Sequence, residues 1–355
     1  MDMKENTPLA PFTTFLIGGP ARWFAEAASE DEIVEATAWA QVRNLPLFVL
    51  GGGSNLLVSD AGFDGLVLRV GLKGMTVIDA PEDLEHPAGQ KIYQVAAGED
   101  WEHCVQQTVD DGCAGLECLA GIPGTVGGTP VQNVGAYGQE VASAIDRVRA
   151  FDLKERVFVE FTAAECGFAY RRSRFNSADR GRYIVTRVDY RLTPGGAPTI
   201  RYADLQRAIL EGLPEGAQPS LAEVTAQVRR VRQTKGMLLV EDDPNCRSAG
   251  SFFKNPVLSE DELQRIAAGS VKEPPRFPAG PGQVKLPAAW LIEQAGFPKG
   301  FALGAAGISS RHTLALINRG GATAREILAL AGQITAAVEV RFGICLEMEP
   351  VRVGF

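Results

Sequence analysis

The chain is poor in the residues from which metal centres and covalent cross-links are built. Six cysteines, at 104, 113, 118, 166, 246 and 345, and three histidines, at 86, 103 and 312, are all that 355 residues contain. No C-x-x-C pair occurs and no histidine stands at ligand spacing, which argues against a zinc site and against a disulfide framework. Unpaired thiols fit a reducing, cytoplasmic setting. An excess of positive charge is missing too: the formal net charge is −8, which argues against a nucleic-acid-binding surface as the main business, since that needs a basic stripe. No run of about 18 apolar residues occurs, and Met1 to Phe12 offers acidic and polar residues where a leader peptide would be apolar. The expectation is a protein that neither spans a membrane nor is exported by that route. Two nucleotide signatures are also absent. Leu56 stands where G-x-G-x-x-G would need its third glycine after Gly51 and Gly53, and no G-K-[ST] follows any glycine run.

What remains is an ordinary globular composition, 45% hydrophobic and 22% charged, on a chain longer than one core usually serves. Two or three domains are expected, with a boundary near residues 230 to 245, where basic helical sequence gives way to Glu241-Asp242-Asp243-Pro244. Two basic clusters, Arg171, Arg172 and Arg174, then Arg229, Arg230, Arg232 and Lys235, leave small anions open as ligands.

Ser29-Glu30-Asp31-Glu32 has capping-box spacing and predicts a helix through Trp39. Leu45 to Leu50 follows as a buried strand that feeds straight into Gly51-Gly52-Gly53, placing that loop where α/β folds commonly bind ligands. A strand over Gly65 to Val70 and a helix over Trp101 to Asp110, ended by Gly112, come next. The segment 121–138, which begins Gly121-Ile122-Pro123-Gly124-Thr125-Val126-Gly127-Gly128, is too glycine-rich for a helix and too apolar for a linker. A ligand-lining loop explains both properties, although a lone G-x-x-G ordinarily marks tight turns. Period-two alternation then predicts strands through Val157, Val159 and Phe161 and through Ile184, Thr186, Val188, Tyr190 and Leu192. Helices capped by Ser259-x-x-Glu262 and Thr323-x-x-Glu326 make the last hundred residues a small α+β domain. In Ile344 to Pro350 alternation predicts a strand with Ile344, Leu346 and Met348 on one face and Glu347 and Glu349 on the other. Carboxylates on a solvated strand face are common and by themselves imply no chemistry.

Taken in order, the segments Leu50 to Leu57, Ala97 to Trp101, Gly121 to Gly138, Tyr170 to Phe175, Gly250 to Pro256, Lys285-Leu286 with Trp290 to Ile292, and Leu346 to Glu349 resemble the UDP-N-acetylenolpyruvoylglucosamine reductases, the MurB family, over nearly the whole chain. That resemblance implies an α+β fold: an FAD-binding part of the vanillyl-alcohol-oxidase/PCMH type in two subdomains, residues 1–75 and 76–235, and a C-terminal α+β substrate-binding domain over 236–345. The final segment 346–355 is expected to join the first subdomain. It further implies non-covalent FAD, NADPH as co-substrate and UDP-N-acetylglucosamine enolpyruvate as substrate, with no metal, no nucleic acid or membrane partner, and a monomer compatible with the sequence.

Residue by residue, the same resemblance assigns Gly51, Gly52, Gly53, Ser54, Asn55, Gly121, Ile122, Gly124, Thr125, Gly128 and Ile184 to the flavin. Glycine amides turned the same way suit a diphosphate. Tyr170, Tyr202, Lys254, Asn255 and Lys285 fall on substrate-contacting positions. Tyr202 matches the lid tyrosine of the longer, type I subgroup. Arg171 and Glu349 match the groups flanking the substrate carboxylate, and Ser251 matches the donor that protonates C2. On a lone Gly-Ser a turn hydroxyl would be the ordinary reading. The family ends Leu-Glu-x-Glu-Val-Arg, whereas here Pro350 intervenes before Val351-Arg352. The stretches Pro81 to Gln90 and Val271 to Gln283 have no assigned role and are expected to be surface loops.

Overall fold

A computed structural model describes residues 1–81, 88–211, 216–268 and 273–355. The chain folds into two compact units. The first holds Met1–Thr7, Ala21–Gly52 and Asp64–Gln233, and the second Pro8–Pro20, Gly53–Phe63 and Thr234–Phe355.

Two larger sheets and a two-stranded ladder of Gly135–Ala136 with Gln139–Glu140 belong to the first unit. One of the larger sheets has the strand order Lys4–Pro8, Pro20–Ala27, Phe63–Val70, Leu47–Leu50, the last two parallel. Leu47–Leu50 lies at the edge, which is why only Leu50 of the expected buried run is fully covered. The preceding helix, Glu30–Val42, starts where Ser29 accepts a bond from the Glu32 N–H at 3.2 Å and buries Ile33, Ala36 and Ala40. It runs past Trp39 because no breaker intervenes before Asn44, whose φ is 51°.

The second sheet is antiparallel, ordered Val157–Thr162, Ile145–Asp152, Tyr183–Pro194, Lys91–Ala96, Met75–Asp79, with Cys113–Ala114 on the far end of the long strand. Ile184, Thr186, Val188, Tyr190 and Leu192 are all buried along that strand, as the alternation predicts. The helix Trp101–Asp110 begins at Asp100, which accepts from the His103 N–H at 2.9 Å, and Gly112 turns the chain away at φ 66°. Leu66 and Leu68 of the first sheet and Val148, Phe151 and Val188 of the second belong to one continuous core.

In the second unit Leu56–Val58 pairs in parallel with Val351–Val353. Two three-stranded antiparallel sheets accompany this pair, one of Val257–Ser259, Gln283–Lys285 and Phe277–Gly280, the other of Ala302–Leu303, Ala306–Ile308 and Leu316–Asn318. Both predicted capping boxes form: Ser259 with Glu262 opens Glu260–Ala268, and Thr323 with Glu326 opens Ala324–Phe342. The long helix buries Ile327, Leu330, Ile334 and Val338 and stops at Gly343 in the left-handed region.

Two expectations need correction. Residues 344–350 keep the predicted alternation, with Ile344 and Leu346 buried and Glu347 exposed, but form no regular strand; the ladder starts only after Pro350, which has no N–H to donate. Much of Val271 to Gln283 is not loop, because Phe277–Gly280 pairs with the strand that begins at Gln283. Val271, Lys272 and residues 82–87, which include His86, lie outside the described residues. All six cysteines are free, and only Cys345 is exposed. Among the described residues no cluster of three potential metal ligands occurs, and no helix is long and apolar enough to cross a membrane.

Candidate active site

Within the first unit the two glycine segments meet. A Cβ at Gly51 would sit 3.0 Å from the Thr125 hydroxyl, and one at Gly52 would fall on the backbone of Gly124. Glycine is required at Gly52 for close approach of two loops, since its φ is unexceptional. The second loop is laced onto the chain before the helix Trp101–Asp110: the N–H groups of Trp101, Val126 and Gly127 donate to Gly124, Glu99 and Ala97 at 3.1, 2.9 and 2.8 Å. Gly121 is gripped through both peptide groups, its N–H by Glu102 and its carbonyl by Arg232 at 2.9 Å. Among the described residues the N–H groups of Ile122, Gly124 and Thr125 donate to no protein acceptor. These three half-buried amides, consecutive apart from Pro123, are what a bound anion would need. Gly128 is exposed with open space beside it, and Ile184 is buried at the head of its strand, paired with Phe151.

Arg171 stands in a tight turn closed by reciprocal bonds between Ala169 and Arg172 at 2.9 and 3.0 Å, and its φ is 54°. Its guanidinium lies 5.5 Å from the Tyr170 ring centroid and donates to the Gly135 carbonyl at 3.0 Å. Asn133 ties this turn to the glycine-rich segment. Only 1% exposed, it donates to Glu140 at 2.8 Å and to the Ala169 carbonyl at 3.1 Å and accepts from the Ala142 N–H at 3.2 Å. Ser173 adds a bond to the Val131 carbonyl at 2.6 Å. Asn133, Tyr137 and Arg171 all have positive φ, 46°, 50° and 54°, a concentration of backbone strain of the kind that functional loops hold.

Tyr202 heads the helix Ala203–Leu210, its ring edge-on to Tyr137 at 5.7 Å. Burial pushes the Tyr137 hydroxyl above its usual pKa while Arg232 beside it pulls the other way. Arg232 is 7% exposed, and burial lowers its pKa against the attraction of Tyr137 and Glu102. Two members of the basic clusters already have protein partners. Arg229 is committed to Glu102 and Gln106, and Arg174 is held by Asp179 at 2.9 Å and stacked 4.0 Å from the Phe161 centroid. Sequence reasoning did not single out Tyr137 or Asn133, and it named Arg232 only as one member of a basic cluster, with no sign of its burial.

The remaining candidates lie in the second unit. Gly250, at φ 71°, turns the chain into Ser251, whose hydroxyl has no hydrogen-bond partner among the described residues. Residues 251–254 then run antiparallel to 347–349, through Phe253 opposite Met348, Lys254 N–H to the Glu347 carbonyl and Glu349 N–H to the Phe252 carbonyl, both at 2.9 Å. Asn55 reaches the same place: its amide donates to the Glu349 carbonyl at 3.4 Å, and its own carbonyl accepts from the Val351 N–H at 2.9 Å. Gly53 is buried at φ 66° with no room for a Cβ beside the Phe12 carbonyl. Lys254 is engaged by Glu347, and the Asn255 side-chain oxygen caps Ala288–Gln294 through the Ala288 N–H at 2.9 Å. Lys285 ends the central strand of its sheet, between Val257 and Phe277.

Residues 21–157 match the family model described as an FAD binding domain, and residues 242–353 match that of the UDP-N-acetylenolpyruvoylglucosamine reductase C-terminal domain. The chain is 46% identical to a UDP-N-acetylenolpyruvoylglucosamine reductase of Thermobifida fusca, over 99% of this chain and 98% of that protein. It is 45% identical to one of Streptomyces coelicolor, over 99% and 90%. Among solved structures it is similar to the UDP-N-acetylenolpyruvylglucosamine reductase of Thermus caldophilus, with a TM-score of 0.66 and 28% identity over 99% of this chain and 100% of that one.

Proposed function

The chain belongs to the UDP-N-acetylenolpyruvoylglucosamine reductase family and is an FAD-binding oxidoreductase, and on that premise we propose how its residues share the work. The proposed reaction is the NADPH-dependent reduction of UDP-N-acetylglucosamine enolpyruvate to UDP-N-acetylmuramate, in the cytoplasm, for peptidoglycan precursor synthesis. The proposed division is two flavin-binding subdomains, 1–75 and 76–235, a substrate domain over 236–345, and a closing segment 346–355.

Gly51 to Asn55, Gly121 to Thr125, Gly128 and Ile184 are the flavin contacts in this reading. The free amides of Ile122, Gly124 and Thr125 and the side-chain-free approach at Gly52 support a diphosphate there. When bound, FAD supplies the hydride that C3 of the enolpyruvyl group receives. Negative charge then gathers on C2 and its carboxylate, where a fixed, permanently charged guanidinium is the best available partner. Arg171 fills that role because its backbone is locked by the Ala169–Arg172 turn and by the Asn176 side chain, which donates to its carbonyl at 3.2 Å. Ser251 hands its proton to C2, and Glu349, bonded across to the neighbouring Phe252, orients the carboxylate's donors. Tyr170, Tyr202, Lys254, Asn255 and Lys285 serve the diphosphate and sugar, to which ammonium, amide and phenol donors are suited.

One observation supports this reading most: Ser251 and Glu349 lie on chain segments bonded to each other and, through Asn55, to the first glycine loop. The test is anaerobic stopped-flow absorbance of the flavin-loaded protein, with NADPH added first and the enolpyruvyl substrate second. Bleaching followed by recovery of the flavin band is expected. Ser251→Ala should leave bleaching intact and slow recovery by at least about 100-fold, the scale for a lost general acid. Equal slowing of both steps would remove Ser251 from the proton-donor role.

A further inference from the structure

Thr14 occupies a junction that no catalytic assignment uses. Its backbone N–H donates to the Gly53 carbonyl at 3.2 Å, and its hydroxyl donates to the Ser248 carbonyl at 2.5 Å, with the Ser54 carbonyl 3.4 Å away. All of these residues belong to the second unit. Three chain segments far apart in sequence are thus joined at one residue: the start of the chain, the end of the first glycine loop, and the lead-in to Ser251.

Both sides of this junction are held by packing or hydrogen bonds. Gly53 is buried with the backbone of Phe12 and Thr13 against it, leaving no room for a Cβ. On the other side Ser248 is 5% exposed, and its hydroxyl accepts from the Gly250 N–H at 3.2 Å, so Ser248 fixes the turn at Gly250 that presents Ser251. Phe15 and Phe252, both buried, pack edge to face at 6.3 Å and hold the residues just beyond each end of the junction. Among the described residues the Thr14 hydroxyl is the side chain that links the Ser248 carbonyl to the glycine-loop side, while Asn55 ties the loop separately to Glu349 on the far side of Ser251. A short bond at a half-buried site transmits position well, because lengthening it leaves a carbonyl without a donor.

We propose that Thr14 is a positioning residue for the reductive step: it sets the distance between the Gly53–Ser54 end of the flavin loop and the Ser251 hydroxyl. This rests on the reading of Ser251 as the donor to C2 and of the glycine loop as a flavin contact. Misplacing a proton donor by a fraction of an ångström affects the step that uses it, and leaves a step that does not use it alone.

The test compares Thr14→Val, which keeps shape and removes the hydroxyl, with Thr14→Ser, which restores the hydroxyl, on the full-length flavin-loaded protein, with Ser251→Ala alongside. Thr14→Val is expected to slow recovery of the flavin band by substrate roughly 10- to 100-fold while bleaching by NADPH changes by less than about threefold. Thr14→Ser is expected to recover at close to the unaltered rate. If Thr14→Val does not accumulate as folded protein, Thr14→Ala carries the same comparison. Unaltered recovery in the variant lacking the hydroxyl, equal slowing of both steps, or a slow Thr14→Ser variant would each overturn the proposal while leaving Ser251 in place. If Ser251→Ala itself shows no selective loss, the underlying reading fails and Thr14 has nothing to position.

Discussion

Replacing Asn133 should separate two costs that the structure places on one residue. Its side chain makes three hydrogen bonds, to Glu140, Ala169 and Ala142, in a position 1% exposed to solvent. Its backbone stands at φ 46°, which asparagine tolerates better than alanine does. Alanine loses the bonds, leaves the half-buried Ala142 N–H without its acceptor while the Ala169 carbonyl keeps only the Arg172 N–H, and takes on the cost of the left-handed backbone. At about 1 kcal/mol for each bond and a further ~1 kcal/mol for the backbone, Asn133→Ala should cost about 3–4 kcal/mol. Asn133→Gly loses the same bonds but not the backbone term, so it should be the less damaged of the two by about 1 kcal/mol. Equilibrium urea unfolding followed by tryptophan fluorescence measures both, as a shift in midpoint at constant slope. The Ala169 carbonyl that Asn133 holds closes the turn carrying Arg171, so both variants should also bind substrate more weakly than their residual fold would suggest. If both lie within about 1 kcal/mol of the unaltered protein, Asn133 is not the tie between these loops. If alanine and glycine are equal, the positive φ carries no cost.

Other perturbations test different parts of the molecule. Gly52→Ala puts a methyl on the Gly124 backbone, forcing the two glycine loops apart, and the purified protein should carry far less flavin per chain, read from the ratio of visible to ultraviolet absorbance. Burial pushes the thiols of Cys104, Cys118 and Cys166 up to about 12, and of the six cysteines only Cys345 is exposed. A thiol-reactive dye should therefore label the native protein quickly at a single position, with the rest reacting only after unfolding; fast labelling of several would contradict the packing. The bonds from Arg182, helped by the Lys154 and Glu155 N–H groups, hold the Asp152 carboxyl down to about 2 from an ordinary 3.8. A depressed folded-state pKa stabilises the fold fully above the unfolded value and is lost as pH falls through the folded one. Acid unfolding should thus lose a contribution between about pH 4 and 2, which Asp152→Asn removes; an unchanged acid limb in that variant would refute the assignment.

What could be read from the sequence was whatever is decided within a few residues of chain. Ser259 with Glu262, Thr323 with Glu326, and Ser29 with Glu32 cap their helices because donor and acceptor are three residues apart, and tertiary context had no reason to overrule them. The alternation through Ile184 to Leu192 survives for the same reason: it is a property of one strand. Order of motifs added the family, and with it the candidate residues, but not how they are held. Residues 344–350 show why. Their alternation is real, yet a strand needs a partner with free groups in register, and Pro350 postpones the ladder to Val351, whose partner Leu56 is close to three hundred residues earlier. The partners of the arginines were not legible either: Glu102 and Asp179, ordinary as single letters, pair with Arg229 and Arg174 where they stand. Thr14 and Asn133 were invisible for a related reason. Each is a common polar residue whose worth comes from the Ser248 or Ala169 carbonyl it reaches, 234 and 36 residues away. The residues that touch substrate are recognisable from their motif, whereas those that hold them are set by the fold, so an exchange at Thr14 tests a part of the enzyme that motif matching passes over.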